Sequence, residues 1–162
     1  RVAGLNPWAA GGLLPTKGVV SFSVRVERSR LNEGRMIIGV CNAAGSCVWG
    51  LALYSGMLLR YSRNAAGEFN WNAPPPEGWP DGHGNQLMRD AAGQPADLDG
   101  RAEGAVIEVI FDADEGSLAF RVNGEAPLRV PDFAFPQGAQ LRPWAPLMFP
   151  DDSVCFAPAY WW

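Results

Sequence analysis

The sequence is short of basic charge, and nearly all the basic charge it has is arginine. Thirteen of the 162 residues are Lys or Arg against 17 Asp or Glu, which gives a net charge of −4, and Lys17 is the single lysine. The densest basic group, Arg25, Arg28 and Arg30, is interrupted by Glu27. Proteins that track nucleic-acid phosphates present a clustered positive field. We therefore expect no nucleic-acid partner.

Cysteine and long apolar runs are scarce as well. Three cysteines, Cys41, Cys47 and Cys155, are too few for a disulfide framework, although Cys41 and Cys47 flank a turn and one pairing stays open. Reduced thiols favour an intracellular protein, cytoplasmic or organellar. No apolar run approaches the ~18 residues that span a bilayer, so we expect no transmembrane span. Because the chain begins at Arg1 and not at Met, we expect a processed or partial chain, from which any targeting segment would already be absent.

Histidine is represented once, by His83 in a glycine-flanked segment. A flexible loop is a poor place to hold a general base or a metal ligand rigidly, and one histidine cannot build a His-rich metal site. We expect His83 to lie in a surface loop. The chain is predicted to have no catalytic residue and no metal site.

Helical periodicity is missing too, whereas turn residues are abundant: Gly and Pro number 19 and 14. What the sequence does show is alternation with a period of two, which is typical of strands with one buried face. Residues 21–27 place Phe22, Val24 and Val26 on one face. Residues 48–54 and 57–61 are predicted to form a hairpin.

The clearest predicted hairpin covers residues 105–122. Its two strands alternate on either side of a turn at residues 114–116, and Asn123 with Gly124 marks the next turn. A further short strand is expected at residues 126–130. By contrast, residues 62–104 are rich in Pro and Gly and lack periodicity, which predicts a long loop excursion over the body of the domain.

In their order along the chain, these segments resemble the SPRY (B30.2-type) family. The resemblance covers residues 18–156 and is strongest where 103–112 is followed by 116–124, which is similar to the family's Gly-x-Leu-x-Phe-x-x-Asn-Gly block. Other landmarks in the same order are Ile38-Gly39-Val40, Trp49-Gly50 and Leu141-Arg142-Pro143.

The resemblance implies an all-β fold, a bent sandwich of two antiparallel sheets similar to concanavalin-like lectins, with no cofactor. Family members usually bind protein segments through loops at one end of the sandwich. The corresponding loops of this chain are 28–34, 42–47, 62–101 and 132–140. We expect three parts: an N-terminal extension (1–17), the sandwich (18–156) and an aromatic C-terminal tail (157–162).

Acidic residues near the predicted hairpin turn raise two alternatives. Asp112, Asp114 and Glu115 resemble a calcium loop, but Val122 stands where an EF-hand needs Glu. Concanavalin-like folds also include glycosidases, which need paired carboxylates. Glu108 and Asp112 share a face, but a half-solvated outer sheet face explains them better. We predict that the chain is not an enzyme.

Aromatic residues supply the candidate partner-binding positions, because Trp and Tyr are favoured anchors at interfaces. Trp49 and Trp144 lie in strand-like contexts and are expected in the core. Trp71 and Trp79 fall in the excursion, where packing onto the sheet competes with partner binding. The same two readings stay open for the tail, as docking on a partner or folding back on its own sandwich; its candidate residues are Tyr160, Trp161 and Trp162.

The predicted function is that of a non-catalytic protein–protein interaction module. It would serve as an adaptor or an accessory subunit of a larger assembly, in one version organellar or membrane-associated. The alternative is a lectin-like carbohydrate-binding domain, because the same sandwich serves lectins and exposed Trp side chains stack on sugars.

Overall fold

The computed structural model describes residues 2–3, 12–64, 66, 68–157 and 160–161, and it gives the backbone alone at positions 2, 3, 69, 160 and 161. Within these residues it contains strands, turns and one short 3-10 turn, arranged as two antiparallel sheets. The predicted all-β sandwich is confirmed.

The larger sheet has seven strands. In spatial order its main path is β1 (Val2–Ala3), β11 (Ser153–Phe156), β2 (Val19–Arg28), β7 (Val106–Asp112), β8 (Ser117–Val122) and β9 (Leu128–Arg129), and β12 (Tyr160–Trp161) also pairs with β2. The smaller sheet runs β10 (Leu141–Trp144), β3 (Ile37–Asn42), β4 (Cys47–Ala52), β5 (Met57–Arg63) and β6 (Phe69–Asn70).

Alternation along the strands builds the core between the sheets. Phe22, Val24 and Val26 of β2 are buried, as predicted, while Arg25 points to solvent. On β7 and β8 the alternate apolar residues face the same interior and pair across the strands in register. The turn after β8 also has the predicted geometry, because Asn123 and Gly124 both have positive φ, at 50° and 75°.

A second apolar layer covers the outer face of the smaller sheet. Trp144 and Tyr61 are buried there in one cluster, on strands to either side of the two central strands. Between them Gly39 and Gly50 stand opposite each other, and a Cβ at Gly39 would lie 2.0 Å from the Trp49 carbonyl oxygen. The central strands therefore approach too closely for any side chain at Gly39.

The predicted excursion is more ordered than its composition indicated. Strand β6 pairs back onto β5 at its start, and isolated bridges join Met57 to Gln86 and Arg89 to Pro95. Asx-type turns at Asn70 and Asp90 supply further local hydrogen bonds. The segment is a chain of tight turns packed on the sheet.

The four loops that the resemblance grouped at one end are divided between the two ends. Strand β3 separates residues 28–34, which precede it, from residues 42–47, which follow it. Loops at the two ends of one extended strand lie at opposite ends of a sheet. The loop at 42–47 meets residues 132–140, whereas the loop at 28–34 meets residues 97–104 and 145–152.

Candidate functional site

Three segments converge on an open groove of about 450 Å³ at the end of the sandwich where β3 turns into β4. Its walls are residues 42–44, Trp79 of the excursion and residues 136–140. We call this surface the loop groove. It joins two of the loops that the resemblance indicated with one of the two excursion tryptophans.

Aromatic packing fixes Trp79 at the groove. Its ring stacks on Trp49, with centroids 5.3 Å apart and planes 20° apart, and meets Phe135 edge-on at 5.8 Å. Trp49 is fully buried, and its indole N–H donates to the Pro80 carbonyl at 2.9 Å. Trp79 is therefore half-buried on a rigid support: it packs on the core and also lines the groove, and its role in partner binding stays a prediction.

Hydrogen bonds fix the other two walls. In the β3–β4 turn the Asn42 side-chain oxygen accepts the backbone N–H groups of Ser46 and Cys47, at 2.8 and 3.2 Å. On the opposite wall, Phe135 N–H donates to the Gly116 carbonyl at 2.8 Å. Gly116 has φ of 70°, and a Cβ there would lie 2.3 Å from the Phe135 oxygen, so this contact requires glycine.

The groove offers neutral polar chemistry. None of its described lining residues carries a charge. The Asn42 amide is used within its own turn, whereas Gln137 and Gln140 are exposed and their amides form no hydrogen bond within the described chain. An indole face beside two free amides suits an uncharged ligand that carries both polar and apolar groups.

Arg60, which the sequence did not single out, fastens the excursion that carries Trp79. Its side chain is only 5% exposed. Its Nε donates to Asp81 Oδ1 at 2.8 Å, and its Nη1 donates to the Ala73 carbonyl. These bonds join two distant points of the excursion to β5.

The same contact sets the protonation of Asp81. The hydrogen bond from the Arg60 guanidinium lowers the pKa of the Asp81 carboxyl. Next to it His83 is exposed in a loop, as predicted, and its Nδ1 accepts the Arg60 backbone N–H at 3.0 Å. His83 thus accepts a backbone N–H of β5 and has a structural role.

Trp71 lies elsewhere. Its ring packs on Tyr61 with centroids 4.6 Å apart, on the outer face of the smaller sheet, and remains 37% exposed. Together with residues 35–37, Tyr54 and Met148 it lines a small pocket of about 110 Å³, here called the Trp71 pocket. The structure therefore separates the two excursion tryptophans onto different surfaces.

The described part of the tail pairs with its own sandwich. The backbone of Tyr160 is opposite Ser21, and that of Trp161 is opposite Val20, in an antiparallel pair. For the backbone this is the arrangement of a tail folded back on the sheet. Trp162 lies outside the described residues.

The carboxylates considered for catalysis are engaged in local structure. Glu108 Oε2 accepts from Arg121 Nη1 at 2.5 Å on the outer face of the larger sheet. Asp112 accepts the backbone N–H groups of Asp114 and Glu115 and so closes the hairpin turn. Among the described residues no three His, Cys, Asp or Glu side chains are placed to hold a metal ion.

The open pairing of Cys41 with Cys47 is not made. Cys47 faces the interior with Trp49, whereas Cys41 faces the outer layer with Trp144, because residues on paired strands alternate between faces. All three cysteines are free. Burial raises the pKa of Cys41 to about 12 and also raises the pKa of Cys47.

Comparisons with known proteins agree with this geometry at the level of fold. No protein-family model and no curated protein matches the chain. The SPRY domain of human HERC1 is 18% identical, with a TM-score of 0.58, over 95% of this chain and 83% of that chain. The binding domain of Paraclostridial Mosquitocidal Protein 1 is 11% identical over 85% of this chain and 31% of that one, with a TM-score of only 0.34.

The SPRY-like sandwich expected from the sequence is therefore confirmed as a fold. Among the described residues, no helix is long and apolar enough to cross a bilayer.

Proposed function

We propose that this SPRY-like sandwich is a non-catalytic protein-interaction module that binds a partner segment in the loop groove. The observation that supports the proposal most is the convergence of two loops and Trp79 on one open groove, on a buried aromatic support. Rigid scaffolds that present loops in this way are common binding surfaces. The role we infer is that of an adaptor or accessory subunit of a larger assembly.

The chemistry of the groove indicates which partner segment fits. Its walls are neutral, and the side-chain amides of Gln137 and Gln140 are free. These amides can donate hydrogen bonds to, and accept them from, the main chain of an extended partner segment. The indole of Trp79 gives an apolar or proline side chain a flat contact. An intracellular setting, cytoplasmic or organellar, belongs to the same proposal and is supported by the free thiols.

The test blocks the groove without touching the core. Ala44 is exposed on a groove wall, and Ala44→Arg introduces a large charged side chain there. Ala134→Arg is the matched control, because Ala134 is exposed on the adjoining segment but does not line the groove. Both variants and the unmodified chain are used as baits in extracts of the cells that make the protein.

A partner bound stoichiometrically by the unmodified chain and by Ala134→Arg, but not by Ala44→Arg, is the expected result. Equal capture by both variants would place the interface outside the groove. A chain shortened by Tyr160–Trp162 measures the contribution of the proposed aromatic tail anchor in the same experiment.

A lectin-like function is the second candidate, and the pairing of Trp79 with neighbouring amides favours it, because sugars stack on indoles and hydrogen-bond to amides. Binding on a glycan array that Ala44→Arg abolishes, without any protein partner, would establish this alternative. Binding of protein without any glycan signal would dismiss it.

A further inference from the structure

The end of the sandwich opposite the loop groove carries a leucine in an unfavourable state. Leu31 has φ of 52° and ψ of 19°, in the left-handed region, and is 77% exposed. Left-handed geometry costs a non-glycine residue about 1–2 kcal/mol, and an exposed leucine contributes no burial. Nothing in the local turn requires leucine, since Asn or Gly adopts this geometry more easily.

Hydrogen bonds to distant segments hold the Leu31 loop, which we define as residues 29–34. The N–H of Arg30 donates to the buried carboxylate of Asp152 at 2.9 Å. The N–H of Ser29 donates to Glu103 at 3.0 Å, and the Asn32 side chain both donates to Gly100 and accepts from Glu103. The loop is thus fixed on two sides, and the exposed Leu31 side chain projects from it.

The charges beside Leu31 are positive and available. The guanidinium groups of Arg28 and Arg30 form no ion pair within the described residues, and Arg30 lies over the Phe149 ring, 4.6 Å from its centroid. Of the acids at this end, Glu33 pairs with Arg35 at 2.6 Å and Glu103 accepts from the loop backbone, which leaves Asp99 and Asp151 as the exposed acids.

The apolar surface continues beyond the loop. Phe149 lies under Arg30, and its neighbour Met148 is 45% exposed. Met148 also lines the Trp71 pocket, together with Tyr54 and Trp71. Four of the six large exposed apolar side chains in the described chain therefore belong to this surface: Leu31, Tyr54, Trp71 and Met148.

We propose that this is a second interaction surface, in which Leu31 inserts into an apolar pocket of another protein whose rim carries carboxylates facing Arg28 and Arg30. A rigid loop loses little conformational entropy on binding. The affinity gained in this way offsets the free energy that the strained backbone costs. Two arginines at the centre argue against a second copy of this chain, because a two-fold contact would bring like charges together.

The first test measures strain. Leu31→Asn keeps the left-handed turn and removes the projecting side chain, and we expect it to raise the thermal unfolding midpoint by about 2–4 °C. Leu13→Asn is the control, because Leu13 is 48% exposed but lies outside this surface. A fall in the midpoint for Leu31→Asn alone would make Leu31 a structural residue and overturn the proposal.

The second test measures contact. The full chain is made with photo-leucine, which keeps the shape of leucine, and is irradiated in extracts of the producing cells. We expect one partner whose cross-linked peptide lies beside Asp or Glu residues. Its yield should fall at least about tenfold in Leu31→Asn and less than twofold in Leu13→Asn.

Further variants test the same proposal by their effect on partner capture. Arg28→Gln with Arg30→Gln should weaken capture and reduce its dependence on salt. Cross-links to a second copy of the chain, unchanged capture by Leu31→Asn, or a contact site without carboxylates would each overturn it. Ala44→Arg should leave this capture intact, so failure here is distinct from failure of the loop groove.

Discussion

The two ends of the sandwich hold their loops by different physical means. At the loop groove, the packed rings of Trp79, Trp49 and Phe135 hold the excursion, while Arg60 and local turn bonds at Asn42 and Gly116 supply the polar contacts. At the opposite end a buried carboxylate, Asp152, collects backbone N–H groups from both sides. Ring packing tolerates small shifts, whereas hydrogen bonds fix distance and direction.

Backbone strain is present at both ends and is greater at the polar end. Leu31 and Asn32 have φ of 52° and 55° there, whereas the segment 132–140 at the groove end has one such non-glycine residue, Asp132 at 50°, and its described wall residues have positive φ only at Gly138. A directional network can hold a backbone away from its preferred geometry, because moving it would leave buried donors unsatisfied. The four predictions below probe this contrast, in order of decreasing effect.

Removing the carboxylate at the polar end should have the largest effect. Asp152→Ala leaves three partly buried backbone N–H groups without their acceptor, and we expect a loss of about 3 kcal/mol in the free energy of unfolding. Urea denaturation measures it. Asp151→Ala, at the exposed neighbouring position, is the control and should change stability by less than about 0.5 kcal/mol. Equal losses would show that Asp152 does not hold this end.

Arg60 is the corresponding test at the groove end. Arg60→Met keeps the aliphatic bulk but removes the bonds to Asp81 and Ala73, and we expect a loss of about 2 kcal/mol, with faster proteolysis between residues 71 and 85. Limited proteolysis with mass spectrometry locates the cuts. Arg63→Met on the same strand is the comparison variant. Cuts at residues 29–34 would contradict the assignment of Arg60 to the groove end.

Cys47 can report on opening at the groove end. Its thiol is buried beside Ser62, and burial raises its pKa, so it should alkylate far more slowly than Cys155 at pH 8. We expect Arg60→Met to increase the rate of Cys47 modification several-fold and Asp152→Asn to leave it nearly unchanged. Peptide mapping distinguishes the three thiols. Similar acceleration in both variants would mean that the two ends open together.

Acid should produce the smallest effect. Because Arg60 lowers the pKa of Asp81, the stabilisation from their pair is complete above the ordinary carboxyl pKa and is lost as pH falls through the lowered value. The carboxylate is 61% exposed, so solvent screens the pair and the change is small. Denaturation of the unmodified chain and of Asp81→Asn should converge between about pH 4 and pH 2. A constant difference over that range would exclude this linkage.

The sequence predicted the regular part of this molecule well, for a physical reason. Local sequence patterns predict the alternation on β2, β7 and β8 and the Asn123–Gly124 turn, because these features depend on neighbouring residues. Arg60 and Asp152 have partners 21 and 122 residues away, and no local pattern indicates such contacts. Leu31 was missed because leucine rarely adopts positive φ.

The candidate site shows the same division. The resemblance implied that the loops at 42–47 and 132–140 lie at one end with the excursion that carries Trp79, and the structure brings them together there. The loop at 28–34 was grouped with them by resemblance alone, and the length of β3 separates it from them. The order of segments along the sequence indicates where the loops are. The directions of the strands decide which of these loops are neighbours.

The stacked pair of Trp49 and Trp79 also gives the loop groove an optical signature. Two indoles with centroids 5.3 Å apart and planes 20° apart couple their electronic transitions, and the coupling decays steeply when they separate or rotate. Circular dichroism of the unlabelled chain should therefore carry an exciton band that Trp79→Phe removes. Ligands that enter the groove can then be titrated by the change in that band, without a label and before any partner has a name.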